Sequence, residues 1–180
     1  LVDQYVGIST ACSESLARFT RRDVLTIFNG VSERRLEVEP RIRSLEAENL
    51  RCLCVGSVRP AKNYEFLIKS LTYLPASLKK RCRVLIAGEG DPRYVSSIKA
   101  IVRSSGLDDV VEFLGNRRDI PELMGGVDLF LMSSSREGLP ISLLEAVMAG
   151  LPCVVTDVGG CPEVISLCQN GFAVRSDDPK

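Results

Sequence analysis

From residue 50 onward, short apolar runs alternate with stretches whose apolar positions recur every three or four residues. The runs Arg51–Ser57, Arg83–Ala87, Val110–Leu114, Val127–Met132, Pro152–Thr156 and a short Gly171–Val174 read as strands. The periodic stretches Tyr64–Leu74, Tyr94–Ser105, Pro121–Gly125, Ile141–Ala149 and Pro162–Ser166 read as helices. The strand runs are nearly continuous in apolar residues, the pattern of strands covered on both faces. Strand and helix alternating at this spacing dictate parallel pairing through right-handed crossovers. The pattern predicts an α/β fold built on a doubly wound, Rossmann-like parallel sheet.

The first fifty residues break that rhythm. Tyr5–Ser9 and Val24–Phe28 predict two strands around a helix at about Glu14–Arg21. Asn29-Gly30 is a turn signal, and Ser32–Asn49 is charged, contains Pro40 and offers few core-forming residues. The chain thus divides into a leading unit over residues 1–29, a linker over 30–49 and a main unit over 50–180. Asp177-Asp178-Pro179 resembles the opening of a further helix that is cut off, and with no initiator Met the sequence reads as a piece of a longer chain.

Composition narrows the function classes. At 180 residues, 45% hydrophobic and 26% charged, the chain can bury a sizeable core and is too apolar for disorder. The 23 basic side chains balance 23 acidic ones, which argues against a dedicated nucleic-acid binder. No apolar run approaches the roughly 18 residues of a membrane span. Histidine is absent, so no histidine base can be supplied from within this chain. The seven cysteines are odd in number, scattered and without a C-x-x-C pair, which predicts reduced core thiols in the cytosol rather than a zinc site or a disulfide framework. Charge is segregated: residues 51–104 carry eleven basic against three acidic residues, and residues 105–180 carry five against twelve. The basic segment fits either a solvated helix face around Lys79, Lys80 and Arg81 or peripheral contact with the anionic inner face of a membrane.

In a sheet ordered 3-2-1-4-5-6, the loops after strands 1 and 4 splay apart and form a ligand crevice. The first of these is Gly56-Ser57-Val58-Arg59-Pro60-Ala61-Lys62-Asn63, and the second is Ser133-Ser134-Ser135-Arg136-Glu137-Gly138-Leu139-Pro140. Gly138 permits close backbone approach, and Pro140 suits the first turn of the next helix. Free amides at that helix start, among Leu139–Ser142, favour a phosphate that Lys62 could reach across the crevice. The competing reading is a serine-rich cap and a surface lysine. Glu145 lies in a helix apolar almost all round, and a buried carboxylate there needs hydrogen-bond donors. A ligand diol would supply two, and backbone amides or a distant Arg are the alternative. A nicotinamide site fails on detail, because Arg93 stands where the third glycine after Gly88-Glu89-Gly90 is needed.

These residues also form a recognisable constellation. The run Ser133–Gly150 followed by Thr156–Ile165 closely resembles the donor-binding half of family 4 retaining glycosyltransferases, with Glu137 and Glu145 as the E-x7-E signature. Supporting matches are Val55-Gly56 with Lys62, Gly88-Glu89-Gly90, Val111–Gly115 and Asn170-Gly171-Phe172. Upstream, Ser9 and Ile27–Ser32 resemble the last strand of the family's N-terminal domain and the crossing between domains.

The resemblance implies the C-terminal Rossmann-like domain of a two-domain GT-B enzyme, with residues 1–29 a remnant of the N-terminal acceptor domain. Such an enzyme transfers a hexosyl group from a UDP-, GDP- or ADP-sugar to a glycan, lipid or small-molecule acceptor, with retention of configuration and without metal or cofactor. On the family pattern Lys62 neutralises the diphosphate beside Gly56, Ser57 and Arg59. Glu145 binds the ribose hydroxyls, while Glu137 and the backbone of Gly138, Leu139, Pro140 and Ile141 meet the transferred sugar and diphosphate. Asn116 and Arg117 border the nucleobase. Many family members carry an Arg at the position of Ser57, for which Arg59 is the candidate substitute. The family histidine and acceptor site belong to the absent half, so the isolated chain is expected to bind donor and turn over poorly or not at all. The alternative is a non-catalytic nucleotide-sugar sensor or scaffold.

Overall fold

The computed structural model describes residues 4–32 and 49–176. Most of the predicted linker and the Asp177-Asp178-Pro179 helix start lie outside the described residues. The leading unit is a small β-α-β: β1 (Tyr5–Gly7) and β2 (Val24–Thr26) pair in parallel around α1 (Thr10–Thr20). The helix starts four residues earlier than predicted because Ser9 caps it, its hydroxyl accepting the Cys12 amide at 3.2 Å.

The main unit contains β3 (Leu50–Val55), α2 (Tyr64–Thr72), α3 (Ala76–Arg81), β4 (Cys82–Ala87), α4 (Pro92–Ser104) and β5 (Val111–Gly115). It continues with α5 (Ile120–Gly125), β6 (Leu129–Met132), α6 (Ile141–Met148), β7 (Cys153–Thr156), α7 (Cys161–Cys168) and β8 (Gly171–Val174). The six strands form one parallel sheet in the order β5-β4-β3-β6-β7-β8. This is the predicted 3-2-1-4-5-6 arrangement, with the direction of winding reversing between β3 and β6. Side chains alternate across the sheet as the strand period demands. Leu53, Leu85, Phe130 and Val155 pack in one apolar cluster with Met124 of α5, Leu143 of α6 and Val164 of α7. Cys52, Cys54, Val84 and Ile86 pack in the other with Ile68 of α2 and Ile98 of α4.

Local chemistry sets the turns at the carboxyl edge. Gly88 follows β4 with φ +157°, and a Cβ there would lie 2.0 Å from the Gly56 carbonyl oxygen, so no larger residue fits. Asp91 then starts α4 by accepting the amides of Arg93 and Tyr94 at 2.9 and 3.1 Å.

Two expectations need correction. Helix α3 is missing from the periodic stretches, since six residues are too few to display a helical period, although one reading of the sequence puts a solvated helix face at Lys79, Lys80 and Arg81, its end. Continuous burial fails at β8, where Phe172 is 73% exposed. Beside α2, Phe66, Leu71, Leu131, Val154 and Val174 are among the residues that line a cavity of about 260 Å³. Among the described residues, no helix is long and apolar enough to cross a membrane.

All seven cysteines are free; five are buried, Cys12 is half-buried and Cys168 is exposed at the end of α7. Burial pushes the thiols of Cys54, Cys153 and Cys161 up to about 12. Cys52 is also held protonated, first by its hydrogen bond with Cys82, whose sulfur lies 3.9 Å away, and then by burial. Iodoacetamide labelling of the native chain, read by mass spectrometry, is therefore expected at Cys168 first and Cys12 second. Raising the pH from about 7 to 9 leaves Cys54, Cys153 and Cys161 unlabelled, because their thiolates form only near the raised values.

Candidate functional site

Two loops meet at the carboxyl edge where β3 and β6 lie side by side. The first leaves β3 at Val55 and tightens into a 3₁₀ turn over Pro60–Lys62. Lys62 folds its stem back over Gly56, where a Cβ would come within 2.9 Å of the lysine Cε. The second loop leaves β6 through three serines that tie it to the first. Ser133 Oγ donates to the Lys62 carbonyl at 2.8 Å, and the Ser135 amide donates to the Ala61 carbonyl at 2.9 Å. Ser134 Oγ donates to Glu137 Oε1 at 2.6 Å.

The Lys62 ammonium reaches the same Oε1 at 2.5 Å, and the two side chains are only 13% and 11% exposed. At that depth the pair is screened far less than a surface ion pair, and removing either partner strands a charge. Behind Lys62, the buried Tyr64 hydroxyl donates to the Gly56 carbonyl at 3.2 Å. Burial pushes its phenol well above the ordinary tyrosine range, so it remains a donor.

The loop from Glu137 to Pro140 is braced on its other side. The Gly160 amide donates to the Gly138 carbonyl at 2.7 Å. Gly159, at φ +56°, lies so close that a Cβ would fall 2.0 Å from the Glu137 carbonyl oxygen. The leading unit docks here as well. Asn29 Nδ2 donates to the Leu139 carbonyl at 2.7 Å, and Ile8 packs against Gly138. Thr10 donates to Glu163 at the start of α7 through its amide at 3.3 Å and its hydroxyl at 2.7 Å. Helix α6 opens at Ile141 as predicted, with Pro140 serving as its N-cap rather than lying inside its first turn. The Leu143 and Leu144 amides turn back to the Pro140 carbonyl. Among the described residues the amides of Ile141 and Ser142 have no acceptor, which leaves the positive end of the helix available to an anion.

A cavity of about 350 Å³ opens beside the first loop, lined by Gly56, Ser57, Gly88, Glu89, Asn116, Arg117 and other residues. Arg117 is clasped by Asp119 through two hydrogen bonds of 2.8 and 2.5 Å. Those bonds hold the guanidinium above and the carboxylate below their ordinary values.

The sequence-derived residues divide accordingly. Lys62, Glu137, Gly138 and the start of α6 share one braced edge, and Ser57, Asn116 and Arg117 share the cavity with Gly56. Arg59 is exposed at the start of the 3₁₀ turn and forms no ion pair among the described residues. Glu145 already has an interaction within the protein, in line with the alternative to a ligand diol that the sequence leaves open, and it is half-buried rather than buried. The reason is that α6 buries only Leu143 and Ala146 fully and leaves Ile141 and Met148 exposed despite their apolar character. Sequence reasoning gave no role to Ser134, Asn29 or Glu163, whose partners lie in loops or in distant segments.

A sequence profile described as glycosyl transferases group 1 matches residues 37–180. The chain is 27% identical over 183 residues to N-acetyl-alpha-D-glucosaminyl L-malate synthase of Bacillus anthracis, covering 95% of this chain and 47% of that protein. It is 36% identical over 129 residues to lipopolysaccharide glucosyltransferase WaaG of Escherichia coli K12, covering 72% of this chain and 33% of that one. The fold superposes on the crystal structure of Anabaena HepE in complex with UDP-glucose with a TM-score of 0.84, at 25% identity, covering 97% of this chain and 50% of that one. The chain thus spans less than half the length of these curated relatives.

A methyl group at Gly159 must displace the Glu137 carbonyl and adopt a left-handed backbone. Gly159→Ala is expected to destabilise the chain by about 1–3 kcal/mol, seen as a lower urea midpoint at unchanged m. Gly30→Ala, which meets nothing within 4 Å among the described residues, is the control and shifts stability by less than about 0.5 kcal/mol.

Proposed function

The chain belongs to the glycosyl transferases group 1 family, and from that footing we propose that it is the donor-binding half of a two-domain sugar transferase. In this reading residues 1–29 are the end of the acceptor-binding half, 30–49 the connection and 50–180 the donor half. The donor is a nucleotide-diphosphate sugar, transferred to a glycan, lipid or small-molecule acceptor with retention of configuration and without a metal. The observation that carries the reading is the Lys62–Glu137 pair, set between adjacent strands at the winding reversal and beside two unpaired helix amides. That is where a doubly wound sheet binds its ligand.

The chemistry follows from where charge develops. As the bond from the anomeric carbon to the diphosphate breaks, negative charge builds on the departing phosphate oxygens. Lys62 and the amides of Ile141 and Ser142 meet that charge with donors already in place, so they stabilise the transition state more than the bound donor. This supply of positive charge from the chain itself supports departure without a divalent cation. Glu137, anchored beside Lys62, suits the hydroxyls of the transferred sugar. The cavity edged by Ser57, Gly88, Asn116 and Arg117 takes the nucleoside, and Glu145 its ribose. The complex of Anabaena HepE with UDP-glucose supports a donor of this class. Free thiols throughout suit a reducing cytoplasm, and the basic segment 51–104 suits peripheral contact at the inner face of the membrane.

Calorimetric titration of the full-length protein with UDP, GDP and ADP tests the reading. One of the three is expected to bind, and Lys62→Ala to weaken it about 10- to 100-fold, the range of a charge-assisted hydrogen bond. Absence of binding by all three overturns the donor assignment.

A further inference from the structure

The two carboxylate oxygens of Glu137 are treated differently. Oε1 accepts from Lys62 at 2.5 Å and from Ser134 at 2.6 Å. Oε2 has no partner among the described residues, and the Glu137 side chain keeps 11% of its surface exposed. A carboxylate has about four acceptor sites on its two oxygens, and here the internal bonds crowd onto one of them. The other is left for something that comes from outside.

Ser134 is built for this task. Its residue is fully buried. Its carbonyl accepts the Thr156 hydroxyl at 2.5 Å, and Thr156 is itself buried on β7. Its neighbours Ser133 and Ser135 are tied to the backbone of Lys62 and Ala61, so the serine cannot swing away. Lys62 is a different kind of anchor, a flexible four-carbon stem whose ammonium is drawn toward any diphosphate that arrives. If Lys62 alone held Glu137, the carboxylate would follow the lysine whenever a donor bound. A second, neutral donor from a fixed loop separates the two.

We propose that Ser134 is a positioning residue that pins Glu137 Oε1 and presents Oε2 to a hydroxyl of the transferred sugar. The inference rests on the donor-binding reading and deepens it by assigning one oxygen to the protein and the other to the saccharide. Positioning of this kind acts on the geometry of the reacting complex rather than on the grip on the nucleotide.

The test uses the full-length protein and the members of UDP-glucose, GDP-mannose and ADP-glucose that it turns over, with the matching free diphosphate as a separate ligand. Ser134→Ala is expected to lower kcat by about 10- to 100-fold, while the dissociation constant of the free diphosphate stays within about twofold. Ser134→Thr, which retains the hydroxyl, is expected to keep at least about a third of the wild-type kcat. Unchanged kcat in the alanine variant overturns the proposal. So does an equal loss of diphosphate binding, which marks a role in holding the loop as a whole. A threonine variant that binds the diphosphate normally yet is as slow as the alanine variant also overturns it. A wild-type protein that binds none of the free diphosphates overturns the donor reading itself, an outcome separate from these three.

Discussion

The contact between Lys62 and Glu137 is the constraint around which the carboxyl edge is organised. Two opposite charges at a depth of 13% and 11% exposure persist only when neighbours fix their geometry. Those neighbours come from every side: the serines of the second loop, the Gly56 turn, the Tyr64 hydroxyl beneath it and the glycine pair after β7. Each close approach needs a residue that allows it, which is why glycines cluster at these turns and bulky side chains lie beneath the sheet. The ion pair thus links the arrangement of adjacent strands to the chemistry at their ends.

The leading β-α-β unit adds a second level of support. Asn29 and Thr10 are separated by more than a hundred residues from the groups they bond, Leu139 and Glu163. Together with Ile8 against Gly138, they close the outer side of the loop that carries Glu137. A loop that must aim a carboxylate is therefore fixed between two folded units rather than left to hang from one.

Much of this was legible in the sequence, for physical reasons that also explain the rest. Strand–helix alternation and continuous apolar runs imply a doubly wound parallel sheet, and in its 3-2-1-4-5-6 order the loops carrying Lys62 and Glu137 meet, so the two could be paired before any coordinates. Ser134 was visible only as part of a serine run, because a hydroxyl bond to a side chain three residues away leaves no periodic mark. Asn29 read as a turn residue, since its bond to Leu139 exists only in the fold. The burial of Glu145 was overestimated because apolar composition was equated with burial, whereas α6 presents Ile141 and Met148 outward. The same error extended to β8.

That outermost strand has one further effect. β8 ends the sheet with one row of backbone groups lacking a strand partner among the described residues, and its Phe172 side chain is largely in solvent. An edge that is apolar and free of lysine is a template for strand addition from another copy. None of the charged side chains that blunt such edges stands in β8, and a single lysine introduced there would supply one.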